Sequence, residues 1–342
     1  MKFLFKFILL ALSITFIGNL EAINKYPLDT AYHRWSSLDD SLLYYTNQDK
    51  LTTELEIIGF STNEQLPIYA FHCHNFQTRS KGHLWNQTIS DSVKKVLIIG
   101  QHHGEEPVGV EIAMKFIQAL TTDKSLNNLK EKYYFIIVPT INPEAFQIVN
   151  NGEYPIRRKN SSDTNHNGIF DIRTDGVDLN KNYPFNWEKA DLIDPEDAYF
   201  KGELPASESE TQAIINLATR ENFDYAFSYH TSFTGAYSEV VFIPYNWIGQ
   251  KSKDWKKIQL DASRLVSRLD KHYLDDKYTV HTGYTSEYGY LRDWLYSRFK
   301  TFVFTIEVGA LTKEGEILYF PENNDLKTIT DKNVDAVLKF LQ

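Results

Sequence analysis

The segment Ile98-Ile-Gly-Gln-His-His-Gly-Glu-Glu-Pro-Val-Gly109 sets two histidines and two glutamates where a strand end reads into a helix. A histidine and a glutamate three apart across such a turn can aim both side chains at one ion. Zinc accepts imidazole nitrogen and carboxylate oxygen at about 2.0–2.2 Å, and a catalytic zinc takes three protein ligands and keeps one position open for water. Two registers meet the spacing, His102 with Glu105 and His103 with Glu106, and spacing does not choose between them. The third ligand must come from elsewhere. His230 is the best candidate, because it ends the apolar run Tyr225–Tyr229, and strand ends of an α/β sheet are where sites gather. Taken alone, the motif also fits a solvated loop of polar residues.

Ligands so far apart need a frame. Strand-like runs fall at Leu55–Gly59, Ile68–Phe71, Val96–Ile99, Tyr134–Pro139, Tyr225–Tyr229, Val240–Ile243 and Phe302–Glu307. Val96–Ile99, Phe135–Val138 and Phe302–Ile306 are apolar throughout, as suits central strands buried on both faces. Helical patterns alternate with them. Pro107 sits at a first helical position, and behind it Ala113, Phe116, Ile117 and Leu120 share one face. Ser207 with Glu210 has the spacing of a capping box before Ala213, Ile214, Leu217 and Ala218. Lys256–His272 and Asp331–Leu341 also read as amphipathic helices. The expected fold is α/β, a mixed, mostly parallel central sheet with helices on both faces. Residues 151–204 show little periodicity, and a loop that long in a compact domain is usually functional.

Further residues in chain order bring a family into view. His103-Gly-Glu-Glu106-Pro, Arg158-Lys159, Gly176-Val-Asp-Leu-Asn180-Lys-Asn182, His230 and Thr305-Ile-Glu307 together resemble the zinc carboxypeptidases of the pancreatic carboxypeptidase A/B type. Gly59-Phe-Ser61 with Pro67-Ile68, and Pro205-Ala-Ser207-Glu-Ser-Glu210-Thr211, look like other parts of that family, so the resemblance covers roughly residues 35–340. The family's His-x-x-Glu is commonly followed by proline, which selects His103 and Glu106 over His102 and Glu105.

The resemblance implies a role for each matching residue. Glu307 becomes the general base and acid, taking a proton from the attacking water and passing it to the leaving amine. Arg158 becomes the cation that stabilises the oxyanion, with Arg157 as its adjacent rival. Asn180 and Lys181 match the pair that grips the substrate's terminal carboxylate. Lysine replaces the usual arginine there, a point charge instead of a planar fork. Tyr284 resembles the family tyrosine that closes over substrate, with Tyr288 and Tyr290 as rivals. Arg292, before Asp293-Trp294, falls at the floor of the specificity pocket. A buried arginine there implies a C-terminal acidic residue or a carboxylate-rich peptidoglycan stem peptide; on a helix surface it would imply nothing.

Asp163-Thr-Asn165-His-Asn167-Gly168-Ile-Phe-Asp171 has oxygen side chains at alternate positions like the start of a calcium loop, but Thr174 stands where the closing glutamate is expected, so an Asn/Asp-rich turn is the alternative. His33, His72, His74, His83, His166, His272 and His281 lack metal spacing to a suitable carboxylate.

Composition sets the outer bounds. The chain has 342 residues, 42% hydrophobic and 24% charged, which is globular rather than disordered. Lys2 and Lys6, the apolar run 7–18 and Glu21-Ala22 read as a signal peptide over 1–22, too short in its apolar part for a spanning helix. Its removal takes two lysines and one glutamate from a net charge of −9, leaving −10. That acidity argues against nucleic acid or anionic membrane as partner. Cys73 is the single cysteine, so no intramolecular disulfide forms. Asn86-Gln-Thr88 and Asn160-Ser-Ser162 match glycosylation acceptors. The expectation is a secreted or periplasmic monomer with one catalytic domain over 23–342, no propeptide-sized segment before it, and no membrane insertion once the leader is removed. The expected activity is zinc-dependent removal of a C-terminal residue from a peptide or a peptidoglycan peptide. A deacylase or amidase of the aspartoacylase and succinylglutamate desuccinylase type is the alternative, and a zinc protein that only binds peptides is a third, disfavoured by an intact Glu307.

Overall fold

A computed structural model of the protein describes residues 28, 30–75, 92–191, 193–232, 237–244, 246–247, 250–281, 288–312, 314 and 317–342. The leader 1–22, His83, the Asn86–Thr88 triplet and Tyr284 lie outside these residues.

All seven expected strands form: β1 (Thr53–Phe60), β2 (Pro67–Cys73), β3 (Lys94–Ile99), β4 (Tyr133–Val138), β5 (Tyr225–Thr231), β6 (Val240–Phe242) and β8 (Phe302–Val308), joined in the main sheet by one strand not foreseen, β7 (Thr279–His281). They make one eight-stranded sheet in the order β1-β2-β4-β3-β5-β8-β6-β7. The centre, β4-β3-β5-β8, is parallel, and so is the β6–β7 pair; β1–β2, β2–β4 and β8–β6 are antiparallel. Residues alternate between two cores because successive side chains of a strand point to opposite faces. Val96, Ile98, Phe227, Tyr229, Phe304 and Ile306 face one core. Leu97, Ile99, Ala226 and Val303 face the other.

Helices cover both faces. On the first lie α1 (Trp35–Gln48), α2 (Val108–Thr122) and, later in the chain, the helices Trp255–Val266 and Asn323–Leu341. The α2 residues Ala113, Phe116, Ile117 and Leu120 are fully buried there, each large side chain stabilising the fold by about 1.5–3 kcal/mol. On the second face lie the helices Ser209–Glu221 and Leu291–Phe299, through Ile214, Leu217, Leu291 and Leu295. Pro143–Asn150 forms a further short helix, with Pro143 in its first turn and Asn142 Oδ1 accepting from the Ala145 amide. Among the described residues no helix is long and apolar enough to cross a membrane.

Three helical expectations need correction. Ser207 caps nothing: its hydroxyl donates to Glu208 Oε1 and accepts from Asn182 Nδ2, and the helix begins at Ser209 without a side-chain cap. Glu210 instead accepts from the amide and hydroxyl of Thr62. The helix expected over Lys256–His272 ends at Val266, and the C-terminal helix begins earlier than Asp331, at Asn323, where Leu326 and Ile329 extend its buried face. Residues 151–204 are irregular as expected, with only 3-10 turns at Leu179–Lys181 and Trp187–Lys189 among the described residues.

Successive parallel strands diverge between β3 and β5. From β3 the chain moves to β4 on one side; from β5 the sheet continues to β8 on the other. Ligand sites of open α/β sheets form at the carboxyl ends of strands at such a switch point. Here the helix α2 starts against the end of β3 with no room for side chains: a methyl group on Gly109 would stand 1.6 Å from the Gly100 carbonyl oxygen. That contact pins the intervening loop, residues 101–107, over the crevice.

Candidate active site

The pinned loop carries His103 and Glu106, closed by a turn in which the Glu106 amide donates to the His103 carbonyl at 3.1 Å. His230 comes up from β5. The three side chains are buried, and their ligating atoms lie within 4.8 Å of one another, the one such group of His, Cys, Asp and Glu among the described residues. His103 Nδ1 is 2.9 Å from Glu106 Oε1, His230 Nδ1 is 2.9 Å from Glu106 Oε2, and the two Nδ1 atoms are 3.3 Å apart. Donors on a tetrahedral ion with bonds of about 2.0–2.1 Å stand about 3.3–3.4 Å apart, so the imidazole pair has zinc spacing and the carboxylate contacts are slightly tighter.

The chemistry of the donor set says the same. His103 Nε2 lies 3.0 Å from Asp178 Oδ1, which places the proton on Nε2 and leaves a lone pair on Nδ1. That lone pair then faces a carboxylate oxygen. Two acceptors at hydrogen-bond distance require a proton or a cation between them. For the protein alone, burial lowers the His103 pKa, but Glu106 and Asp178 outweigh burial and hold it up at about 9. Burial pulls His230 below its ordinary value. Glu106, despite burial, is held well below the usual carboxylate range by the two imidazoles. An anion between two lone-pair donors suits a divalent ion of borderline softness, and the residues fit zinc.

The rival register is used differently. His102 Nε2 sits 3.2 Å from the Tyr183 hydroxyl, and its ring stacks on His230 at 5.2 Å, so it walls the site. Glu105 faces Arg158 Nη1 at 3.5 Å, and burial raises its pKa to about 7.

Of the remaining expected residues, Arg158, Asn180, Lys181, Arg292 and Glu307 line a cleft of about 420 Å³ that opens on the triad. Glu307 stands beside His230, its partner in the parallel β5–β8 register, and is only partly buried. Arg158 lines the cleft, whereas Arg157 is buried beneath it with its guanidinium on the carbonyls of Ile172 and Asn160. Asp178 Oδ2 accepts from Arg158 Nε at 3.0 Å and Nη2 at 2.9 Å, so one carboxylate orients both His103 and Arg158. Asn180 Oδ1 accepts from the Leu291 amide, with its Nδ2 3.4 Å from His230 Nε2. Lys181 Nζ lies over the Tyr290 ring at 4.3 Å. Arg292 is not on a helix surface: it is 4% exposed, lines the cleft, and lies 5.3 Å from the same Tyr290 ring and 5.5 Å from Phe242. The loop before it is tied to the Lys181 segment. The Tyr183 amide donates to the Gly289 carbonyl, and a methyl on Gly289 would meet the Lys181 carbonyl at 2.0 Å.

The calcium-like segment is an Asx-turn. Asp163 Oδ2 accepts from the Gly168 amide at 2.7 Å, Asn165 Oδ1 from Asn167, and Asn167 Oδ1 from Ile169. These three oxygens are turned onto backbone, as in an Asn/Asp-rich turn, while Asp163 Oδ1 is buried without a protein partner.

Sequence reasoning missed Asp178, Tyr199, Phe242 and His281, whereas Tyr290, one of the two rivals to Tyr284, does line the cleft. Asp178 had a usable signal: a metal-bound histidine needs an acceptor for its second nitrogen, and Asp178 stands two residues before Asn180. The others carry no spacing signal.

A family model described as zinc carboxypeptidase matches residues 45–336. Carboxypeptidase B2 of Mus musculus is 25% identical over 296 residues, 84% of this chain and 65% of that protein. Gamma-D-glutamyl-L-diamino acid endopeptidase 1 of Lysinibacillus sphaericus is 23% identical over 251 residues, 68% of this chain and 59% of that protein. The chain thus spans under two thirds of the length of these curated relatives. The solved structure of bovine thrombin-activatable fibrinolysis inhibitor in complex with tick carboxypeptidase inhibitor shares the fold, with a TM-score of 0.73 at 21% identity over 91% of this chain and 96% of that one.

Proposed function

This chain belongs to the zinc carboxypeptidase family, and from that premise we propose that it is an exported metallocarboxypeptidase acting through a catalytic domain over 23–342. His103, Glu106 and His230 would hold the zinc, which when bound polarises a carbonyl and acidifies water. Glu307 accepts the proton of the attacking water and delivers it to the leaving amine. Arg158, whose pKa Asp178 and Glu105 hold well above the ordinary value against the effect of burial, stays charged and faces the oxyanion. Asn180 and Lys181 receive the terminal carboxylate, Tyr284 closes over the peptide, and Arg292 selects an acidic side chain. The observation that carries this reading is the juxtaposition of two imidazole donors and a carboxylate with Glu307 one strand over, across an open cleft.

Substrates are C-terminal peptides or stem peptides of a cell wall, and the leader over 1–22 places the protein outside the cytoplasm. The test is mass spectrometry of a mixed peptide library and purified stem peptides after incubation with zinc-loaded protein, with E307Q as control. Loss of single C-terminal residues, fastest for Glu or Asp, is expected. Preferred release of Lys or Phe rejects the role given to Arg292. Hydrolysis of N-acyl amino acids without peptide cleavage assigns the deacylase chemistry instead.

A further inference from the structure

Tyr199 is 51% exposed, yet its neighbours in the chain are anchored. Phe200 is buried and its carbonyl accepts from the Asp178 amide at 2.7 Å. Lys201 is buried, with Nζ on the carbonyls of Trp187 and Ala190. The Tyr199 amide itself donates to Asp197 Oδ1 at 2.7 Å, which fixes the turn. The backbone that carries the ring is thus fixed on both sides, and the ring lines the cleft. It stands where two cations meet: its centroid is 4.9 Å from the Arg158 guanidinium carbon and 5.9 Å from Lys181 Nζ. Cations are drawn to the negative face of an aromatic ring, more strongly as water is excluded. The two cations repel each other, and a ring in reach of both offsets that repulsion while limiting where each can swing. Asp178 grips Arg158 from beneath, at Nε and Nη2, and the ring approaches the guanidinium from the rim.

We propose that Tyr199 is a positioning residue: its ring holds Arg158 and Lys181 in the orientation that receives the substrate's reacting carbonyl and terminal carboxylate. The proposal rests on the functional reading above. The ring is needed and the hydroxyl is not.

The experiment compares Y199L, which keeps bulk but has no π-face, with Y199F, which keeps the ring. Both are measured on zinc-loaded full-length protein, alone and combined with R158A. Y199L is expected to lower kcat/KM about tenfold, with melting temperature within about 2 °C of wild type because the side chain is half exposed, and Y199F to recover most of that loss. In the R158A background the effect of Y199L on kcat shrinks below about twofold, since the group it positions is gone. The proposal is overturned if Y199L matches an active wild type, if Y199F loses as much as Y199L, if the loss is undiminished beside R158A, or if Y199L melts many degrees lower. If wild type cleaves no peptide, the functional reading fails and a second arm decides the positioning role. Calorimetric binding of an N-acetylated dipeptide with a free C-terminal carboxylate is measured on E307Q and on E307Q with Y199L. At least about threefold weaker binding with Y199L upholds it; equal binding overturns it.

Discussion

The metal triad and the substrate wall share one cleft but are built differently. His230 and Glu307 stand on adjacent central strands whose register fixes them side by side, and His103 and Glu106 stand in a loop clamped by the Gly100–Gly109 contact. Lys181, Tyr199, Tyr290 and Arg292 stand on or beside the loops at the rim, tied to one another by ring–cation contacts and a few backbone hydrogen bonds. On the proposed roles, the metal donors and Glu307 would be held by the sheet and the loop pinned to it, and the selecting groups by residues at the ends of longer loops.

The sharpest way to break this division is at Glu307. E307Q should lower kcat by about 10²–10⁴-fold while zinc content and melting temperature hold, the range expected for loss of a general base. A variant that keeps most of its activity removes Glu307 from the chemistry. Next in size is D178N, which removes the charge from the carboxylate behind both His103 and Arg158. Zinc affinity, measured by chelator competition, should weaken about 10–100-fold; unchanged affinity means that Asp178 does not orient the ligand. R292Q probes the substrate wall alone. It should cut the preference for C-terminal Glu over Gln about tenfold and leave zinc affinity unchanged, and a parallel loss of zinc would show that the two halves are not separable.

The smallest expected effect lies away from the cleft. Glu210 is fully buried, and burial, with Glu208 adding, raises its pKa to about 7 from an ordinary 4.5. A carboxyl raised on folding favours the fold fully below its unfolded pKa and loses that contribution as pH climbs through 7. E210Q should thus leave the melting temperature near wild type at pH 4.5 and raise it by about 2–4 °C at pH 8, read by calorimetry. Equal shifts at both pH values would mean that Glu210 is not titrating.

Much of the sheet half was legible in the sequence because its signals are local. Apolar runs marked the central strands, and a three-residue spacing marked the first two donors. Choosing His103 over His102 needed the following proline and the family likeness, since both registers satisfy the spacing. The loop half was less legible. Whether Arg292 is buried depends on how the helix Leu291–Phe299 packs, and that helix is apolar on too short a stretch to declare its inner face. Tyr199 and Tyr290 acquire meaning only through cations brought near by long loops. Ser207 and Glu210 had capping-box spacing, but stronger partners, Asn182 and Thr62, took both side chains.

His103, Glu106 and His230 are proposed to bind one zinc together. Anomalous diffraction at the zinc edge, from crystals of zinc-loaded protein, tests it directly. One strong peak is expected about 2.0–2.2 Å from His103 Nδ1, His230 Nδ1 and a Glu106 oxygen. No peak there, or zinc bound instead through His102 and Glu105, would contradict it.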